Sequence, residues 1–223
     1  MNQFGNTITR PAESILSTNK LIKNTYMLLS ATLLFSAVTA GISMVMQMPP
    51  MTNLFALGGA ILLMWLVLPK TANSAAGIGV VFAITGLLGF GLGPMLNYYL
   101  AMQGGSQIVM TALGGTGVIF LGLSGYALTT RKDFSFLGGF LIVGFLAVLV
   151  AAVANIFLGI PALSLAISSV VIFIMSGFIL YDTSRMINGG ETNYIMATIS
   201  LYMSIYNIFI HLLHLLGALS GDD

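Results

Sequence analysis

The chain contains no cysteine, which removes disulfides, thiolate metal sites and a cysteine nucleophile together. Charge is nearly as scarce. Lysine, arginine, aspartate and glutamate make up 6% of 223 residues, against about 25% in an ordinary soluble domain. A net charge of +1 gives no field that would gather nucleic acid. Alternation with period two is also missing, so the apolar runs do not read as strands of a β-barrel. What remains is 57% hydrophobic residues, arranged in nearly charge-free runs of about 20, the length that crosses a bilayer as a helix. The class is an all-α membrane protein whose main partner is the lipid bilayer.

Seven spans are predicted, at 26–46, 53–68, 75–96, 107–129, 136–158, 162–186 and 194–219. Residues 1–25 carry Arg10, Glu13, Lys20 and Lys23 and read as a loose polar cytoplasmic tail, not a cleavable leader. Residues 220–223 form a short tail at the other end. Pro49-Pro50 closes the first span, Pro69-Lys70 the second, and Pro94 interrupts the third. The short connections imply that sequential helices are antiparallel neighbours.

Basic residues fix the orientation. Arg10, Lys20 and Lys23 precede the first span, Lys70 lies between the second and third, Arg131 and Lys132 between the fourth and fifth, and Arg185 ends the sixth. With seven spans every one of them falls on the same side, and neither six nor eight spans preserves this. The positive-inside rule then puts the N-terminus in the cytoplasm and the C-terminus, with Asp222 and Asp223, in the periplasm. No soluble domain is left to carry catalysis, and the expectation is a non-enzymatic seven-helix bundle without cofactor or resident metal.

Glycines crowd the third to fifth spans, among them Gly86, Gly89, Gly91, Gly93, Gly114, Gly115, Gly117, Gly122, Gly125, Gly138, Gly139 and Gly144. Small residues let helices approach closely in lipid, and that packing is the expected use. Gly122-Leu123-Ser124-Gly125 has the pattern of a rhomboid-type intramembrane protease. Its serine, however, lies about 15 Å along the membrane normal from His211 at 1.5 Å of rise per residue. A Ser–His dyad does not form across that distance.

Ser200, Ser204, Asn207, His211 and His214 fall on one narrow stripe of the last span, facing the bundle. The stripe serves either as interhelical glue or as a polar path from the inner mouth to the outer one. Leu201, Ile205, Ile208 and Leu212 lie elsewhere on the wheel, toward lipid or apolar neighbours. Asp182 is the one acid set inside a long apolar run, near the inner end of the sixth span. Arg185 is one turn further, at ion-pair spacing. The two readings are an interfacial Asp182–Arg185 pair and a buried acid that gates the inner mouth with Ser204 and Asn207 across from it. Tyr181 and Tyr202 are available as hydrogen-bond donors.

Tyr181-Asp182-Thr183, Gly189-Gly190-Glu191-Thr192-Asn193-Tyr194, Ser200-Leu201-Tyr202 and Tyr206-Asn207-Ile208-Phe209 resemble the carboxy-terminal signature of the Bax inhibitor (transmembrane Bax inhibitor motif) family. Asn24-Thr25-Tyr26 and the stretch Thr129 to Gly139 place the resemblance in its proteobacterial YccA branch, over residues 10–219. The resemblance implies seven helices, no catalysis and residence in the bacterial inner membrane. It further implies restraint of an FtsH-type ATP-dependent membrane protease, with the HflK–HflC complex as companion. The tail bearing Arg10, Lys20 and Lys23 would be where the protease grips. Members of the family it resembles are described as pH-sensitive calcium leaks governed by two aspartates on the last two helices. The first position matches Asp182; the second is Ser204 here. Two facing acids couple strongly, whereas an acid facing a serine does not.

Overall fold

The computed structural model describes residues 9–220, with side chains from residue 15 onward. Its elements are helices: α1 Thr9–Val45, α2 Met51–Thr71, α3 Ala75–Leu100, α4 Gly105–Thr130, α5 Leu137–Leu158, α6 Pro161–Ile187 and α7 Tyr194–Ser220. Seven helices are thus long and apolar enough to cross a membrane.

The ends differ from the sequence reading in three places. Residues expected as a loose tail are helical from Thr9 onward, and Leu21 and Ile22 already pack on the core. Pro69 does not end α2. Upstream of it, Leu63–Val67 is wound as a π-helix, with the Leu68 N–H reaching back to the Leu63 carbonyl. That wider turn accommodates a proline whose ring crowds the carbonyl four residues before it. Pro94 likewise stays inside α3, which runs on to Leu100. By contrast α6 obeys its end signals, opening with Pro161 and closing into Gly189 at φ +79°.

Helix α7 is the axle. It packs against α1, α3, α4 and α6, while α2 packs on α3 and α5 on α6. Sequential helices are therefore not always neighbours: α1 and α2 do not pack together, nor do α4 and α5. The intervening turns, with Pro49-Pro50 in one and Arg131 at φ +51° in the other, carry the chain outward. Because α7 is surrounded, Leu201, Ile205 and Ile208 are buried against other helices instead of meeting lipid.

The glycines divide by helix. On α3, a Cβ at Gly89 would collide with the Ser36 carbonyl, and one at Gly93 with the side chain of Ser43. These positions let α1 and α3 touch backbone to backbone. On α4, by contrast, Gly114, Gly117, Gly122 and Gly125 have nothing within 4 Å of such a Cβ. Close packing accounts for the first group and not for the second.

The described basic residues gather at one end of the bundle. There Asn193 of α7 meets Ala72 and Asn73, Ser184 of α6 meets Lys132 and Phe134, and Arg131 lies beside Thr18 and Ile22 of α1. Asp133, exposed in the loop before α5, accepts from the Ser135 N–H at 2.8 Å. That bond, then the Ser135 hydroxyl, holds its carboxyl below the ordinary 3.8. A depressed folded value stabilises the loop above the unfolded pKa, and the contribution disappears as pH falls through the folded one. NMR titration of labelled aspartate is expected to give Asp133 a midpoint below 3.8.

Candidate functional site

Asp182 sits five residues before the end of α6, about 7 Å in from that end. It is 8% exposed, and its Oδ2 accepts from the Ser200 hydroxyl at 2.6 Å. Ser204, one turn further along α7, donates instead to the Ser200 carbonyl at 3.3 Å, and Asn207 donates to the Met203 carbonyl at 2.8 Å. The hydroxyl that holds the acid is therefore Ser200, a turn earlier than Ser204, the position expected across from it.

Of the two readings of Asp182, the ion pair with Arg185 is not formed. Arg185 sends its Nη2 to the Gly190 carbonyl at 2.7 Å, lies 3.8 Å from Glu191 Oε2, and stacks 5.5 Å over the Tyr181 ring. Gly189, at positive φ, turns the chain back so that these acceptors come within reach of the guanidinium. Neither tyrosine reaches the carboxylate. Tyr202 donates to the Thr85 carbonyl at 3.3 Å and accepts from Ser36 at 2.7 Å, and Tyr181 lies against Gly138.

Asp182, Arg185, Glu191, Ser200, Ser204 and Asn207 share the wall of a cavity of about 380 Å³. Its other walls are apolar, from α2, α5, α6 and α7. The cavity ends at Asn207 and includes neither histidine. His211 and His214 turn toward α6 and converge on Ser168, their Nδ1 atoms 3.0 and 2.8 Å from its hydroxyl. The stripe thus splits into a cavity lining and a helix–helix tie, and does not form one continuous path. Ser124, of the protease-like tetrapeptide, bonds to Tyr26 of α1 and lies 3.3 Å from Thr183 of α6. It has no histidine partner, in keeping with the distance argued from sequence.

Of the residues expected to form a grip, Lys20 and Lys23 are exposed on α1, about three and four turns in from Thr9. The side chain of Arg10, like Asp222 and Asp223, lies outside those described.

Sequence reasoning missed three hubs. Ser168 collects both histidines. Ser184 Oγ accepts from the Phe134 N–H at 2.8 Å and donates to the Lys132 carbonyl at 3.2 Å. Asn193 joins α7 to the turn between α2 and α3 through its side-chain amide. The last two belong to the stretches that carry the family resemblance or adjoin them. Ser184 and Asn193 are thus stitches to loops at the basic end.

The sequence profile of the family described as inhibitor of apoptosis-promoting Bax1 matches residues 18–221. Escherichia coli strain K12 has a relative named modulator of FtsH protease YccA, 56% identical over 209 residues and 94% of each chain. A relative in Escherichia coli O6:H1, with the same identity and coverage, is named inner membrane protein YccA. An uncharacterized membrane protein of Vibrio cholerae is 49% identical over 217 residues, 97% of each chain.

Proposed function

The chain belongs to the family of inhibitors of apoptosis-promoting Bax1, and from that premise we propose that it binds an FtsH-type ATP-dependent membrane protease and restrains it, without chemistry of its own. It is a multi-pass protein of the bacterial inner membrane. The observation that carries the reading is 56% identity over 94% of the chain to a relative named for modulating that protease.

The gathering of Lys20, Lys23, Lys70, Arg131, Lys132 and Arg185 at one end supports a cytoplasmic placing of that end. Helix α1 then projects its first turns into the cytosol, beside a protease whose unfolding motor works there. Either these turns occupy the motor as a poorly extracted segment, or the bundle presses laterally on the protease's own spans. HflK–HflC would be a companion in that assembly. The alternative, a pH-sensitive calcium or proton leak, has weaker support: Asp182 faces serines, and calcium is ordinarily held by several oxygen ligands.

Proteoliposomes holding the protease, a test substrate and this protein provide the test. Full-length protein should slow substrate degradation several-fold, and a variant lacking residues 2–20 should not, while both co-purify as intact bundles. Equal degradation rates with and without the full-length chain would remove the reading.

A further inference from the structure

The cleft at Asp182 has a chemical character that restraint of a protease does not require. Asp182 is buried, yet among the described residues no cation lies within ion-pair distance of its carboxylate. The guanidinium one turn away is committed to Gly190 and Glu191. A single serine hydroxyl is the one hydrogen-bond donor found on the acid. Asp182, Arg185 and Glu191 set two carboxyl groups against one guanidinium in the cleft wall.

The rest of the cleft is apolar and deformable. Met64, Met175 and Met203 offer flexible thioether side chains that repack around different shapes, and Phe145 and Phe178 supply flat walls. Helix α2 contributes Met64 and Leu68 but makes no backbone approach to α5, α6 or α7. Between α2 and α5 the cleft is therefore bounded by side chains, Met64 and Leu68 on one side and Phe145 on the other. A volume of about 380 Å³ falls within the range of sites that hold small ligands.

We propose that this cleft binds an ammonium group carried on an aliphatic chain, the ammonium against Asp182 and the chain along the methionine and phenylalanine walls. One carboxylate among thioethers and aromatic rings is a poor cage for a divalent ion, which needs several oxygen ligands. An ammonium brings three donors to a carboxylate that has found one, and its apolar tail suits walls that a hydrated ion would not wet. Two sources supply this chemistry: an aminophospholipid entering from the bilayer, or a free alkylamine.

The test uses the full-length protein in detergent and in mixed-lipid nanodiscs. Dodecylammonium is expected to bind about tenfold more tightly than dodecanol, by thermal shift or calorimetry, because only the former pairs with the acid. Asp182→Asn, nearly isosteric, should bring the two within about twofold of each other while remaining monodisperse. Met64→Trp keeps the acid but fills the cleft, and should weaken both probes. Native mass spectrometry from nanodiscs separates the sources. Retention of phosphatidylethanolamine over phosphatidylglycerol, lost in Asp182→Asn, identifies the lipid; absence of that enrichment alongside dodecylammonium binding identifies a free amine. Equal affinity for amine and alcohol, or binding untouched by both substitutions, would overturn the assignment.

Discussion

Alanine at Gly93 is expected to lower stability by about 1–2 kcal/mol, whereas alanine at Gly117 leaves it unchanged or raises it slightly. In an unhindered helix the exchange of glycine for alanine favours the folded state by up to about 1 kcal/mol. That gain is all that applies at Gly117, where a Cβ would meet nothing within 4 Å. At Gly93 the same methyl would overlap the Ser43 side chain and stand 2.9 Å from the Met44 nitrogen. Ser43 is fully buried, and one of its new neighbours would be backbone, so relief comes only by prising α1 from α3. Overpacking of this kind costs about 1–3 kcal/mol, which exceeds the propensity gain. Thermal unfolding in detergent, followed by loss of the monodisperse peak, measures both variants. Equal transitions for the two would mean that α1 and α3 do not meet as described.

Much of this architecture is legible in the chain itself, because the bilayer imposes a length on every charge-free run. The seven spans follow from that, and the gathering of basic residues follows from where the runs break. The ends were harder to read. Pro69 and Pro94 have the look of terminators, but π-winding ahead of Pro69 keeps α2 going, and α3 passes through Pro94. The central place of α7 was half visible. Its polar stripe announced contact with other helices, yet no periodicity shows that Leu201 and Ile208 are buried as well. A helix surrounded on all sides has no lipid face for a pattern to report.

The site divides in the same way. That Asp182 is special can be read from its isolation among apolar residues. Its partners cannot, because Ser200 and Ser204 lie one turn apart on the same face and only the helix crossing selects between them. Arg185 had a nearer competitor for its charge, Glu191, delivered by the turn at Gly189. Pairings such as Ser36 with Tyr202, 166 residues apart, depend wholly on tertiary contact.

Asn193→Ala is expected to cost about 2–4 kcal/mol, because one side chain there does two jobs at once. Its Oδ1 accepts from the N–H groups of Ile195 at 2.9 Å and Met196 at 3.2 Å, capping the first turn of α7. Its Nδ2 donates to the Ala72 carbonyl at 2.9 Å and to Asn73 Oδ1 at 2.8 Å, tying that cap to the end of α2. Losing the cap alone costs about 1 kcal/mol, and each hydrogen bond across to the turn adds about 0.5–1.5. Serine at 193 preserves an acceptor for the helix while removing both donors, so it should fall between wild type and alanine. Aspartate should behave like serine or worse. It keeps the cap and suits the helix dipole, but sets a carboxylate against two oxygens that now lack a donor. Hydrogen exchange should register the loss first at residues 72–74 and in the first turn of α7, with the Asp182 cleft unaffected. If alanine and serine destabilise equally, the helix cap contributes nothing and the cross-tie alone holds this end of the axle; if neither does, the four bonds are incidental to stability.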